Sequence, residues 1–275
     1  MYEQILYEVD DPIATITMNR PDTLNAHTPR MGDEIRHAFA QAEKDERVVA
    51  IILTGSGRGF CAGADMKELD KISRGGARWE TPNELEADPG DPEVDADFRG
   101  TYTYPMAIPK PVIAAINGPA AGMGVPIALA CDIRFMSDRA ILTTSFSRRG
   151  LIAEWGISWM LAQAVGPAQA LDLLFSARRV GAEECASMGL VNRVVPHDEL
   201  MATARDYAME LATYCSPASM RVMKRQVYKD LTERLGPAEK EAIARMIDTF
   251  GSDDFREGVV SFMEKRPPKF KRVQR

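Results

Sequence analysis

An α/β core followed by a helical C-terminal region is the fold class the sequence predicts, and three observations predict it. In the first half of the chain, strand-like apolar runs alternate with residues recurring at helical spacing. Two of the strand candidates end in glycine-rich turns that open helices. Beyond Glu154 the pattern is almost wholly helical, punctuated by Gly166-Pro167, Val180-Gly181, Val195-Pro196, Ser216-Pro217 and Gly236-Pro237. The division falls at 195: residues 1–195 make the core and 196–275 the helical region.

Residues 4–9 and 13–18 are rich in β-formers and split by Asp10-Asp11-Pro12, the pattern of a hairpin. Residues 21–29 read as loop. From Met31 to Asp45, the side chains Met31, Ile35, Ala38, Phe39 and Ala42 fall on one helical face. Residues 48–54 (VVAIILT) form a continuous apolar run of the kind covered on both faces of a sheet. Strand, helix and strand then make a right-handed βαβ unit. Residues 70–104 are polar, acidic and rich in Gly and Pro, and read as a mobile surface excursion with room for a short helix, either a lid or a disordered loop. A second unit follows, with a strand at 112–116, a turn, a helix from about Gly122 and a strand at 133–136. No internal repeat is visible. Residues 111–131 carry no charge over a length that could span a bilayer, but Asn117, Pro119, Pro126 and the glycines interrupt them, so a buried strand–turn–helix is expected.

A chain of 275 residues, 45% hydrophobic and 27% charged, can bury a sizeable core without disulfides or metal. Its net charge of −6 argues against a general nucleic-acid binder. The basic segment 265–275 reads as a solvated, frayed tail. Cys61, Cys131, Cys185 and Cys215 form no CxxC pair, and His27, His37 and His197 are scattered, so neither a disulfide framework nor a metal site is expected. Reduced thiols point to the cytoplasm. The acidic N-terminus reads as a strand, not as a signal or transit peptide.

The first glycine-rich turn runs from Gly55 to Glu68 (GSGRGFCAGADMKE) after the strand at 48–54. Asp65 followed by Glu68 is a capping-box pattern for the next helix. Main-chain amides near Ala64 would then lie at a helix start without intrahelical acceptors. The turn lacks the Gly-Lys-Ser/Thr ending of a phosphate loop. The second turn, Ile116 to Asp132 (INGPAAGMGVPIALACD), also runs from a strand through small residues into a helix. Either turn alone is compatible with tight helix–sheet packing.

Together the two turns resemble those of the enoyl-CoA hydratase/isomerase (crotonase) family. The resemblance covers nearly the whole chain, from Ile16-Thr-Met-Asn-Arg-Pro21 and Leu24-Asn-Ala26 to Phe262-Met-Glu-Lys-Arg266. It implies a ClpP/crotonase-like spiral of ββα units with a helical trimerisation region, assembled as a homotrimer or dimer of trimers. It also implies an acyl-CoA thioester substrate, with coenzyme A as part of that substrate, no separate cofactor or metal, and no nucleic-acid or membrane partner. In the family two main-chain amides bind the thioester oxygen; carried over, they are those of Ala64 and Met123. Glycine is usual at position 123, so the methionine keeps the amide and narrows the pocket. The coenzyme would run along Ala62, Ala64, Asp65, Met66 and Lys67, with Lys67 facing its phosphates. Phe262 and Lys265 would reach a neighbouring subunit's nucleotide.

Hydration in this family uses two glutamates around one water, and the matching positions here hold Pro126 and Phe146. Neither side chain can activate water. The segment from Phe146 to Glu154 (FSRRGLIAE), followed by Trp155, instead resembles that of Δ3,Δ2-enoyl-CoA isomerases, in which a glutamate is the sole base; Ala153 replaces the family's proline. The resemblance implies that Glu154 moves a proton from C2 to C4 of a 3-enoyl thioester. The rings of Phe146 and Trp155 would strip water from that carboxylate. Dienoyl-thioester isomerisation, displacement at an aryl thioester, hydration and non-catalytic acyl-CoA binding remain as alternatives.

Overall fold

β1 (Ile5–Asp10) and β2 (Ile13–Met18) form the expected antiparallel hairpin, with Ile5 opposite Met18 and Asp10 opposite Ile13. α1 (Pro29–Lys44) starts slightly before its apolar stripe, because Thr28 caps it by accepting the Met31 amide and Pro29 occupies the first turn, where its missing N–H goes unused. β3 (Ala50–Gly55) returns parallel to β2, completing the βαβ unit, and all six of its residues are buried. α2 is Met66–Ser73. Then come β4 (Val112–Ile116), β5 (Ala120–Ala121), α3 (Gly124–Leu129), β6 (Ile133–Ser137) and β7 (Ile141–Thr143). The remainder comprises α4 (Ile157–Ser176), β8 (Val180–Gly181), α5 (Ala182–Ser187), β9 (Arg193–Val195), α6 (Leu200–Tyr214), α7 (Pro217–Asp230), α8 (Leu235–Phe250) and α9 (Asp253–Glu264). This structure, a computed structural model, describes residues 2–76 and 79–273. Positions 77–78 of the polar excursion and 274–275 of the basic tail lie outside the described residues.

The main sheet has the order β1-β2-β3-β4-β6-β9, and every pair from β2 onward is parallel. A second ladder runs beside it. There His27 bridges Ala64, Cys61 bridges Ala120, β5 pairs with β7, and β7 pairs with β8. Each long strand therefore leads into a short second pairing and then a helix. That recurrence is the ββα rise of a spiral, and it lies in the backbone, which is why no sequence repeat betrays it. One face of the main sheet packs on α1 and on the residues around Phe39 and Phe60. The other is covered by α6, whose Leu200, Ala204 and Ala208 meet Ile13, Ala50, Ile52 and Ile113.

Four expectations are corrected. The chain beyond Glu154 is not almost wholly helical, since β8 and β9 join the two sheets; at two and three residues they are too short to show an alternating pattern. The excursion at 70–104 is not disordered over its described length, and it holds short helical turns at Asn83–Leu85 and Ala96–Phe98. Asp91 pairs with Arg221 at 2.7 Å, Glu93 with Arg225, and the Ala87 carbonyl with Arg36 at 2.9 Å. The basic tail is not frayed as far as residue 273, because Arg266 pairs with Glu257, Lys271 with Asp253 and Arg272 with Asp11. The capping box at α2 is half formed. Asp65 caps by accepting the Lys67 amide at 2.9 Å, but its own N–H donates to the His27 carbonyl at 2.8 Å, so Glu68 has nothing to reach back to and pairs with Lys71. Among the described residues no helix is long and apolar enough to cross a membrane; the uncharged run 111–131 is β4, β5 and α3.

Candidate active site

The first glycine-rich turn leaves β3 and is fixed by two buried asparagines. Asn25 donates to the carbonyls of Ser56 and Gly59, and Asn117 to those of Gly57 and Gly59 while accepting the Gly55 amide. The turn ends where His27 bridges it: the His27 amide donates to Gly63 at 2.7 Å, and the Asp65 amide donates to His27 at 2.8 Å. In such a parallel bridge the intervening residue, Ala64, turns its own N–H to the opposite side.

The second turn leaves β4 through β5. The Gly122 amide donates to Thr143 at 3.1 Å, and Met123 begins α3, where helix-start amides lack intrahelical acceptors. Among the described residues neither the Ala64 nor the Met123 N–H has an acceptor. The two turns touch through glycine. Gly63 has φ +102°, and a Cβ there would lie 3.1 Å from the Ala121 oxygen and 3.7 Å from the Gly122 Cα. Gly122 has φ +47°, and a Cβ there would lie 3.5 Å from the Gly63 Cα. The left-handed backbone at both positions and the tight 3.1 Å approach at Gly63 favour residues without side chains.

A cavity of about 380 Å³ opens at this junction. Ala62, Ala64, Asp65, Met66 and Lys67 line it from the first turn, and Met123, Phe146 and Glu154 from the other side, so eight of the sequence-predicted site residues share one cavity. Three do not line it. Trp155, expected beside the carboxylate, adopts φ +58° ahead of Gly156 at φ +75°, which turns its ring away onto Tyr102 at 4.6 Å between centroids. Of the two rings expected to dry Glu154, only Phe146 stands in the cavity, 4% exposed. Phe262 is 86% exposed on α9 and Lys265 ends that helix in a left-handed conformation; within one chain both stand apart from the cavity.

Asp65 and Glu154 are the carboxylates among the lining residues, and their surroundings differ. Burial opposes ionisation of Asp65, but hydrogen bonds from Arg20 at 2.8 Å and from the Lys67 amide outweigh it and hold its pKa below the usual range. The Glu154 carboxylate has no hydrogen-bond or ion-pair partner among the described residues, while its main-chain carbonyl accepts the Ile157 amide at 3.1 Å. Beneath the cavity the buried His27 ring leaves Nε2 without a partner among the described residues, and burial, then Arg20, lower its pKa to about 4, so it is neutral at pH 7. Sequence reasoning missed Arg20, Leu69, Arg149 and Leu151 in the cavity wall. Leu69 was readable three residues from Met66 on one face of α2. Arg149, whose guanidinium reaches the Ser145 carbonyl at 3.2 Å, gave no such signal. Among the described residues no cluster of three His, Cys, Asp or Glu side chains is placed to hold a metal ion.

Residues 8–273 match the family model described as enoyl-CoA hydratase/isomerase. A probable enoyl-CoA hydratase of Rhodobacter capsulatus is 37% identical over 270 residues, covering 98% of each chain. A 1,2-epoxyphenylacetyl-CoA isomerase of Escherichia coli is 32% identical over 284 residues, covering 98% of this chain and 99% of its own. The crystal structure of an enoyl-CoA hydratase from Bacillus anthracis superposes with a TM-score of 0.84 at 28% identity, over 98% of this chain and 99% of that one. Hydratase is the commoner name among these relatives, and the isomerase subtype is not singled out by them. A matching family model over nearly the full length, full-length relatives and a shared crotonase fold agree: the chain belongs to the enoyl-CoA hydratase/isomerase family.

Proposed function

We propose that the protein shifts the double bond of a 3-enoyl-CoA to the 2-position, with Glu154 as its single base. The observation that carries this reading is the contrast between the cavity's carboxylates: Asp65 is tied to Arg20 and to the start of α2, whereas the Glu154 carboxylate has no partner among the described residues and is available to take up a proton. Glu154 removes a C2 proton. The C–H electron pair enters the thioester carbonyl, and negative charge grows on its oxygen. The amides of Ala64 and Met123 donate to that oxygen, and each such preorganised donor stabilises a transition state by roughly 3–4 kcal/mol. The dienolate then takes the same proton back at C4 while the C2–C3 double bond and the carbonyl re-form, so one mobile carboxylate serves both steps. Coenzyme A is part of the substrate, and the route uses no separate cofactor or metal.

Hydration, the reading favoured by the relatives' names, needs a second carboxylate to share the water. Here Phe146 lines the cavity and Pro126 is buried in α3. We further propose a cytoplasmic homotrimer or dimer of trimers built through the region beyond 195, where Val227, Leu235, Ile247, Phe250 and Phe262 are exposed. Conversion of hex-3-enoyl-CoA, followed by the absorbance of the conjugated product, and C2–H exchange in D₂O test the base. Glu154→Gln is expected to lower both by about 10²–10⁴-fold, the range of general-base contributions. Wild-type rates in that variant, or hydration of but-2-enoyl-CoA faster than isomerisation, would overturn the reading.

A further inference from the structure

The Glu154 carboxylate has no partner among the described residues, so its position depends on the backbone that carries it. That backbone is a short loop held at its start, where Ser147 and Arg148 donate to the Phe175 and Ser176 carbonyls, and just after the base, where the Ile157 amide donates to the Glu154 carbonyl at 3.1 Å. Residues 147–152, 155 and 156 are exposed, and consecutive left-handed conformations at Trp155 and Gly156 reverse the chain directly after the base. Gly156 is the N-cap of α4 and supplies no side-chain cap. The side chain that follows Glu154 is nevertheless held. The Trp155 ring meets the Tyr102 ring edge-on at 4.6 Å and 75°, and the Thr103 Cγ2 lies 3.7 Å from where a Gly156 Cβ would stand.

Tyr102 is anchored in turn. Its ring meets the His27 ring at 5.4 Å, and its hydroxyl lies 3.7 Å from where a Gly32 Cβ would stand, against α1. His27 is the residue whose backbone brackets Ala64. One stack of rings therefore joins the segment presenting the first amide to the loop presenting the base, and its middle member comes from the polar excursion. Tyr102 does not line the cavity.

We infer that Tyr102 is a positioning residue for Glu154, clamping the Trp155-Gly156 reversal so that the carboxylate stays in register with the amide pair. The inference rests on Glu154 being the base. The excursion at 70–104 thereby acquires a role, since it carries the clamp from α1 to the catalytic loop. A base displaced by about 1 Å can lose 10²-fold in rate, so a contact that fixes the reversal is read in kcat.

The test is a double-substitution cycle on hex-3-enoyl-CoA, with the affinity for unreactive hexanoyl-CoA measured in parallel. Tyr102→Ala and Trp155→Ala are each expected to lower kcat by about 10–100-fold, with KM and hexanoyl-CoA affinity within about threefold of wild type, because the His27 bridge to Ala64 is main-chain. The double variant is expected to lose no more than the worse single one, since both remove one contact. Tyr102→Phe, which keeps the ring, should recover most of kcat. Should Tyr102→Ala fail to fold, Trp155→Ala and Trp155→Phe interrogate the same contact from a residue that is 45% exposed. Multiplicative losses in the double variant, or wild-type kcat in either alanine variant, overturn the inference while leaving the base intact. A fully active Glu154→Gln overturns the base assignment and this inference with it.

Discussion

Acidification from pH 7 to pH 5 should destabilise this protein through one buried ring. His27 is 6% exposed, and burial, then the Arg20 charge, lower its pKa from 6.5 to about 4. In the unfolded chain the imidazole gains its proton near pH 6.5; in the folded chain it stays neutral down to about 4. The unfolded state therefore binds the extra proton as the pH falls between those values, and stability falls with it, whereas above 6.5 the contribution is fully present. Between pH 7 and 5 this difference is about 2 kcal/mol, and over the whole window about 3 kcal/mol. The assay is urea unfolding at fixed protein concentration from pH 8 to 5, for wild type and for His27→Leu. The substitution removes the titrating group and, since Nε2 has no partner among the described residues, breaks no hydrogen bond there. His37, whose pKa is also lowered by burial and by Lys44, titrates in the same direction, but it is present in both proteins and cancels in the comparison. The variant should lose about 2 kcal/mol less than wild type between pH 7 and 5. Parallel losses in the two proteins would refute the reasoning.

Gly63→Ala forces a side chain onto a backbone at φ +102° with the Ala121 oxygen 3.1 Å away. The strain should move the Ala64 amide and cut kcat for hex-3-enoyl-CoA by roughly 10²-fold, the loss expected for one oxyanion donor, while circular dichroism stays native; an unchanged kcat counts against the amide pair. Asp65→Ala removes the α2 cap and leaves Arg20 without its carboxylate. A loss of about 2 kcal/mol, or roughly 4–8 °C in Tm, is expected by calorimetry, with Asp65→Asn recovering about half because it retains the cap; equal losses would show that the cap contributes nothing. Phe262→Asp on exposed α9 should lower the assembly mass measured by light scattering, and an unaltered mass would place the subunit contact elsewhere.

The parts of the fold legible in the sequence are those whose pattern is local and long enough to repeat. The hairpin, α1 and the run ending at Thr54 belong to this group. β8 and β9 were invisible because two or three residues cannot alternate. At α2 the sequence showed Asp65 and Glu68 at the right spacing, yet a distant carbonyl, that of His27, had already taken the amide the box needs. The candidate site was legible as two glycine turns and a carboxylate. That Gly63 and Gly122 come into contact depends on neighbouring turns of the spiral stacking, which no single turn records. The direction of Trp155 was lost for another reason: a left-handed backbone at a bulky non-glycine residue is set by tertiary packing, here against Tyr102, rather than by propensity.

The two cavity carboxylates carry the functional argument because they share one chamber and differ in everything else. Asp65 receives a guanidinium on one oxygen and a helix-start amide on the other, so its charge is paired where it stands; it behaves as part of the scaffold that aims the first turn. Glu154 stands on a reversal of the chain with no partner for its carboxylate oxygens among the described residues, beside Phe146. In the proposed isomerisation, a base that takes a proton from C2 and returns it at C4 needs that freedom. A carboxylate locked into an ion pair would have to break the pair in each transfer. The same freedom makes Glu154 easy to misplace, so the clamp on Trp155 has to act through the backbone. A direct bond to the carboxylate would hold the side chain still but occupy the oxygens that the chemistry uses.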